Sequence, residues 1–251
     1  MPTTSVNGFE MHYELRGDGE PLLLLHGGMG IGDDWGHVFP SDPAGYRVIV
    51  PDLRGHGRST NPGGAFTFRQ CAHDVLGLLD RLGVERVKAI GLSMGGKTLL
   101  HAGTAQPERI DAMVLVSATP RFPDALRAAA AQFTPDAFDR LSDGERHTLR
   151  QRHVHGDDQI RALYAMTRSF ASSHDDMAFT QEQLRHITAR TLIVHGDRDP
   201  YYPVEMAVEL FHGIPQAALW IVPYGAHGPV FGPLAPAFVR QAIAHLEGSQ
   251  N

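Results

Sequence analysis

Six short, almost uninterrupted apolar runs limit most tightly what this chain can fold into. They are Pro21-Leu22-Leu23-Leu24-Leu25-His26, Arg47-Val48-Ile49-Val50, Val87-Lys88-Ala89-Ile90-Gly91, Ala112-Met113-Val114-Leu115-Val116, Thr191-Leu192-Ile193-Val194 and Ala218-Leu219-Trp220-Ile221-Val222. Runs of this length read as strands buried on both faces of a parallel sheet; a buried helix is the alternative that periodicity alone leaves open. Helical patterns lie between them. Phe68 to Leu82 places Cys71, Val75, Leu78, Leu79 and Leu82 on one face, with Gly83 as its stop. Lys97 to Gln106, Val204 to Phe211 and Phe238 to Leu246 follow the same rule. Ahead of all this, Asn7-Gly8 joins Thr3–Val6 to Phe9–Leu15 as a tight hairpin, which Gly17-Asp18-Gly19 ends. An antiparallel start followed by strand–helix alternation predicts an α/β fold: a mostly parallel, twisted sheet with helices on both faces.

The alternation breaks once, from Thr119 to Ile187, where no strong strand pattern appears. Short helical patterns fill that stretch at Asp124–Phe133, Pro135–Leu141, Asp158–Phe170 and Gln181–Ile187. The expected organisation is a core made of residues 1–118 and 188–251, with 119–187 inserted as a helical cap over one edge of the sheet.

Composition removes several function classes. With 251 residues the chain allows one or two domains, and 42% hydrophobic against 20% charged residues is ordinary globular usage. A net charge of −6 gives no footprint for a polyanion, so nucleic acid is not expected as a partner. The single cysteine, Cys71, fits a reducing compartment. The first residues lack a basic stretch followed by an apolar core, and no apolar run approaches the ~20 residues of a membrane span. The expectation is a cytoplasmic protein acting on a small molecule, with no membrane partner.

The chemistry concentrates at three places. Gly91-Leu92-Ser93-Met94-Gly95-Gly96 matches G-x-S-x-G where a predicted strand meets a predicted helix. There a sharp, strained turn lifts the serine above the sheet, and the flanking glycines tolerate the crowding. Serine needs a base oriented by a third group. His227 follows the last strand and the turn Pro223-Tyr224-Gly225-Ala226, at the sheet edge where Ser93 lies. An acid stands in His195-Gly196-Asp197-Arg198-Asp199-Pro200, after the strand before it.

This Ser–Asp–His order resembles the α/β-hydrolase superfamily. So do His26-Gly27-Gly28-Met29-Gly30 and Asp52-Leu53-Arg54-Gly55-His56-Gly57-Arg58-Ser59, the stretch from Gly196 to Pro203, and Gly225-Ala226-His227. The likeness spans nearly the whole chain apart from 119–187. It implies that the acid stands three residues after the glycine and four before a proline, which selects Asp199 over Asp197. Some members place the acid after the preceding strand, but Val116-Ser117-Ala118-Thr119 offers no carboxylate. The likeness further implies an oxyanion hole of two backbone amides, Met94 and Gly28, with Met29 in reserve for the second. A serine at the elbow argues against haloalkane dehalogenases and epoxide hydrolases, which use aspartate there. The expected activity is hydrolysis of a small, largely apolar carboxylic ester through an acyl-enzyme. Carbon–carbon bond hydrolases, lactonases and cofactor-free perhydrolases share the same triad and stay open, as does a ligand receptor that retains it.

Other residues read more plainly. Asp52 and Arg54 belong to a turn network, Cys71 to the core, and His26 to a hydrogen bond behind the oxyanion loop. Lys97 is expected to be solvated. His147, His153 and His155 lack a recognised ligand spacing, so no metal is expected. No phosphate-binding loop is present, and no cofactor is expected. Met29, Trp35, Met166, Phe170, Tyr201 and Val230 are candidates for the substrate pocket, and Met177 and Phe179 for the cap's contribution to it.

Overall fold

A computed structural model describes residues 2–61, 63 and 66–249. Its eight strands form one sheet: β1 (Thr3–Val6), β2 (Phe9–Arg16), β3 (Glu20–Leu25), β4 (Tyr46–Pro51), β5 (Val87–Leu92), β6 (Ile110–Val116), β7 (Arg190–Gly196) and β8 (Ala217–Val222). The spatial order is β1-β2-β4-β3-β5-β6-β7-β8. β1 pairs antiparallel with β2 and β2 antiparallel with β4, while every later pairing is parallel. The six apolar runs are therefore strands, as expected.

The pleat explains why the runs are apolar throughout. Successive side chains point to opposite faces, so one strand feeds two cores. Leu23, Leu25, Ile49, Ala89, Met113, Leu115 and Ile193 enter one cluster. Leu22, Leu24, Val48, Val50, Ile90, Ala112, Val114, Val116, Leu192 and Val194 enter the other. The helices α1 (Phe68–Arg81), α2 (Met94–Ala105) and α7 (Val204–Gly213) cover the first face, and α8 (Ala235–Glu247) covers the second. Cys71 is completely buried on α1. No helix among the described residues is long and apolar enough to cross a membrane.

Between β6 and β7 the chain leaves the sheet and forms α3 (Asp124–Ala130), a 3-10 turn at Pro135–Arg140, α4 (Asp143–Arg152), α5 (Asp157–Ser169) and α6 (Gln181–Leu184). The inserted segment has its own small core of Phe138, Ile160 and Tyr164, against which Met29 packs. It is tied to the sheet domain through the loop after β4. Val154 N–H donates to the Gly57 carbonyl at 3.2 Å, and Gly57 N–H donates to His153 Nδ1 at 3.0 Å. The Gln159 amide donates to the Gly55 and Gly57 carbonyls, each at 3.0 Å.

The helix α4 was not expected. Its sequence, Asp-Gly-Glu-Arg-His-Thr-Leu-Arg-Gln-Arg, carries no apolar stripe, and none of its residues is buried. What defines it is a capping box, in which Ser142 Oγ accepts from Glu145 N–H and the Glu145 carboxylate accepts from Ser142 N–H.

Candidate active site

Three loops bring the site together at the carboxyl ends of the parallel strands β5, β7 and β8, at the edge where open α/β sheets bind ligands. Ser93 sits between β5 and α2 with φ 49° and ψ −102°, a conformation that non-glycine residues rarely hold. Small neighbours make it possible. A Cβ at Gly91 would come within 2.5 Å of the Gly95 carbonyl carbon, and one at Gly95 would overlap the Leu25 carbonyl. Gly95 N–H donates to the His26 carbonyl at 3.0 Å and binds the elbow to the loop after β3. The same loop is held from behind, since His26 Nε2 accepts from Leu53 N–H at 2.9 Å. His26 is thus the structural residue the sequence suggested.

Asp199 follows β7 and His227 follows β8. His227 Nδ1 lies 2.7 Å from Asp199 Oδ2. A carboxylate accepts only, so Nδ1 carries a proton, and in the neutral ring that tautomer leaves the lone pair on Nε2. The other Asp199 oxygen, Oδ1, accepts from the amides of Tyr201 at 2.9 Å and Tyr202 at 3.1 Å. Burial works against the Asp199 charge, but the His227 bond and these amides outweigh it and hold the carboxyl below its ordinary range. The two loops touch where Gly196 meets Gly225 and Ala226, with no room for a Cβ.

Ser93 and His227 line one cavity of about 340 Å³, together with Gly28, Met29, Met94, Lys97, Phe68, Tyr201 and Tyr202. The inserted segment supplies Leu126, Ala129, Ala130, Phe133, Thr167 and Phe170. Phe170 is wedged among aromatic rings, 5.2 Å from Phe68 and 5.3 Å from Phe122 between centroids. Met94 opens α2, so its amide is one of the helix's unpaired N–H groups.

Of the residues expected to line the pocket, Met29, Phe170 and Tyr201 do so. Trp35 and Val230 do not: both are buried in the core on the α8 side of the sheet, Trp35 because its 3-10 turn packs beneath β3 and β4. Met166 lines a different cavity, with Arg54, Asn61 and Phe66. Met177 is buried in the core, and Phe179 stacks 4.7 Å from His101.

Asp52 and Arg54 do form a turn network. Asp52 accepts from Gly32 and Arg58 amides, each at 2.8 Å, and Arg54 pairs with Asp74 at 2.5 Å and 2.8 Å. His153 is fully buried and accepts the Gly57 bond.

Lys97 overturns its expected role. It is 2% exposed, and its Nζ lies 2.6 Å from Tyr202 Oη. The position is one turn into α2, under the site and away from solvent. Burial pushes the Lys97 amine down to about 7, although the Asp199 charge pulls the other way. Tyr202 was also missed. Burial raises its phenol, and the neighbouring Ser93 hydroxyl works against that rise. One sequence signal pointed to Lys97. Of 22 basic residues only Lys88 and Lys97 are lysines, so an amine here is not routine usage for this chain.

Comparison with known proteins fits this architecture. Residues 20–232 match the model of the alpha/beta hydrolase fold family. The 2-hydroxy-6-oxo-6-(2'-aminophenyl)hexa-2,4-dienoic acid hydrolase of Metapseudomonas resinovorans is 28% identical over 241 aligned positions, covering 89% of this chain and 83% of the relative. The enol-lactonase of Burkholderia xenovorans superposes with a TM-score of 0.78 at 25% identity, over 98% of this chain and all of that one. A thermophilic esterase from Thermogutta terrifontis superposes at 0.73 with 26% identity, over 98% and 96% of the two chains.

Proposed function

The chain belongs to the alpha/beta hydrolase fold family, a family of hydrolytic enzymes, and from that premise we propose that it is a serine hydrolase of small, largely apolar carboxylic esters. The observation that supports this best is the single apolar cavity that holds a strained Ser93 beside an Asp199-bound His227. Ser93 Oγ attacks the ester carbonyl, and His227 Nε2, whose lone pair the Asp199 bond leaves free, accepts the proton. Asp199 orients His227 and stabilises its charged form. The amides of Gly28 and Met94 take the oxyanion of the tetrahedral intermediate; a donor of that kind typically contributes ~10²–10³ in rate. The alcohol leaves with the proton from His227, and water activated by His227 then hydrolyses the acyl-enzyme.

Residues 119–187 act in this reading as a cap that selects substrate, since Phe133 and Phe170 line the cavity that holds Ser93. The lining favours a neutral substrate. Lys97 is its one Lys or Arg among the described residues, and burial holds that amine near neutrality. Hydrolysis of a carbon–carbon bond is the second reading, favoured by the likeness to a dienoic acid hydrolase. Initial rates on p-nitrophenyl esters of increasing acyl length, on lactones and on dienone ring-cleavage products separate the two. Esters should be turned over fastest, with no turnover by Ser93→Ala. Faster cleavage of the dienones would replace the ester reading with the second one.

A further inference from the structure

We propose that Tyr202 is a second catalytic hydrogen-bond partner of the nucleophile, and that Lys97 acts through it to form a proton relay, Ser93–Tyr202–Lys97, independent of His227. The inference rests on the serine-hydrolase reading above. It begins from a contact that the triad does not use. Tyr202 Oη lies 2.6 Å from Lys97 Nζ, and both residues line the cavity that holds Ser93. Tyr202 is placed firmly for this. Its amide donates to Asp199 Oδ1, and its carbonyl accepts from His195 Nε2 at 2.9 Å.

Lys97 has the surroundings of a base. Nζ lies 4.6 Å from the Tyr202 ring centroid and 5.4 Å from that of Phe68. Among the described residues no carboxylate reaches ion-pair distance of Nζ; the two ring faces and the more distant Asp199 charge favour the ammonium, and burial works against it. The titratable groups facing the pair are Ser93 at the elbow, Asp199 and Tyr201 after β7, His227 after β8 and His195 on β7. From α1 the Phe68 ring faces it. From the inserted segment the lining residues are Leu126, Ala129, Ala130, Phe133, Thr167 and Phe170, none of them titratable. An arginine could not serve, because a guanidinium does not give up its proton in a protein.

The direction of the chain follows the state of Lys97. As an ammonium it donates to Tyr202 Oη, which leaves the phenol proton free to be donated to Ser93 Oγ. As a neutral amine it accepts from Tyr202, whose oxygen then accepts from Ser93. In that second state the relay can act as a base. While Oγ bonds to the carbonyl carbon, the Ser93 proton passes to Tyr202 and the Tyr202 proton to Lys97. The positive charge ends on Lys97 and the negative charge on the carbonyl oxygen. When the intermediate collapses, the bond to the alcohol oxygen breaks, and Tyr202 gives that oxygen a proton as it takes one from Lys97.

The test is the rate at which an alkyl fluorophosphonate labels Ser93, followed by intact mass, with Ser93→Ala as the blank. In His227→Ala a residual rate should remain and should rise about 10-fold from pH 6 to pH 8, as expected for a base titrating at about 7. Adding Lys97→Met, Lys97→Arg or Tyr202→Phe to His227→Ala should flatten that profile and lower the rate at pH 8 at least ~10-fold. Lys97→Arg keeps a cation that can hold Tyr202 in place but cannot accept its proton, which separates a relay from a purely structural contact. Tyr202→Phe serves if the lysine variants do not fold. Residual labelling unaffected by the Lys97 and Tyr202 substitutions overturns the relay and leaves the serine-hydrolase reading intact. Absence of labelling in the wild type removes both. As an independent check, reductive ¹³C-methylation gives two lysine signals, assigned by replacing Lys88. A Lys97 signal titrating above pH 9 would also overturn the relay.

Discussion

His153→Asn should make the protein markedly less sensitive to acid. His153 follows α4 in the inserted segment, is fully buried, and accepts the Gly57 N–H bond through Nδ1 at 3.0 Å. His56 and His26 stand behind it, with ring centroids 6.0 Å apart for His56 and His153 and 5.1 Å for His26 and His56. Only a neutral ring can accept that bond. Burial, aided by the charge of Arg152, pushes the His153 ring down to about 4 from the ordinary 6.5. The unfolded chain therefore takes up the proton first. The contribution of His153 is fully present above pH 6.5 and is lost as pH falls toward 4. At about 1.36 kcal/mol per unit, the loss relative to pH 8 is about 2 kcal/mol at pH 5 and about 3 kcal/mol at pH 4. His26 and His56 are also lowered by burial and add to the same trend, but they are shared by wild type and variant. Asparagine retains a carbonyl oxygen for Gly57 N–H and does not titrate. Urea unfolding at pH 8 and pH 5 measures the difference. The variant should start about 1–3 kcal/mol below wild type, from the lost ring packing and hydrogen-bond geometry. It should then lose about 2 kcal/mol less on going to pH 5. Equal losses in the two proteins would show that His153 is not what acid attacks.

Three further outcomes follow from other contacts. Asp74→Ala leaves the buried Arg54 guanidinium without its carboxylate and the Asn7 amide without its acceptor; stability should fall by about 3–5 kcal/mol, and the melting temperature by roughly 6–20 °C in a thermal scan. Gly95→Ala drives a methyl into the Leu25 backbone and displaces α2 from β3; the expected result is a loss of about 1–3 kcal/mol in urea together with loss of ester turnover, since the elbow moves with the helix. Phe170→Ala opens a wall of the Ser93 cavity; relative rates on p-nitrophenyl esters should shift toward longer acyl chains, whereas an equal fall on every ester would assign Phe170 to support of the fold.

The sheet was legible because parallel strands must be apolar on both faces, and no polar residue interrupts Leu22–Leu25 or Ala112–Val116. The three loops of the site were legible because each follows a recognisable strand and carries a glycine the turn requires, as Gly91, Gly196 and Gly225 do. α4 was not legible, since a helix exposed on all sides leaves no periodic trace and only its capping box marks it. The pocket was legible in part. Whether an apolar residue faces a cavity or a core depends on how its loop or helix packs, and Trp35 and Val230 on the sheet domain and Met166 on α5 all turned elsewhere. Lys97 misled for a related reason. A lysine one turn into a helix is usually solvated, and only the packing of α2 beneath Tyr202 puts this one in the site.

The central claim is that Ser93 is the nucleophile, with His227 as its base. Intact mass spectrometry of the wild-type protein, quenched in acid after brief mixing with p-nitrophenyl acetate, tests it most directly. The protein should carry a single acetyl group, and peptide mapping should place that group on Ser93. The adduct should be absent from Ser93→Ala and should form far more slowly in His227→Ala, because the attack itself needs the base. An acetyl group on any other residue, or ester turnover that survives Ser93→Ala, would contradict the account.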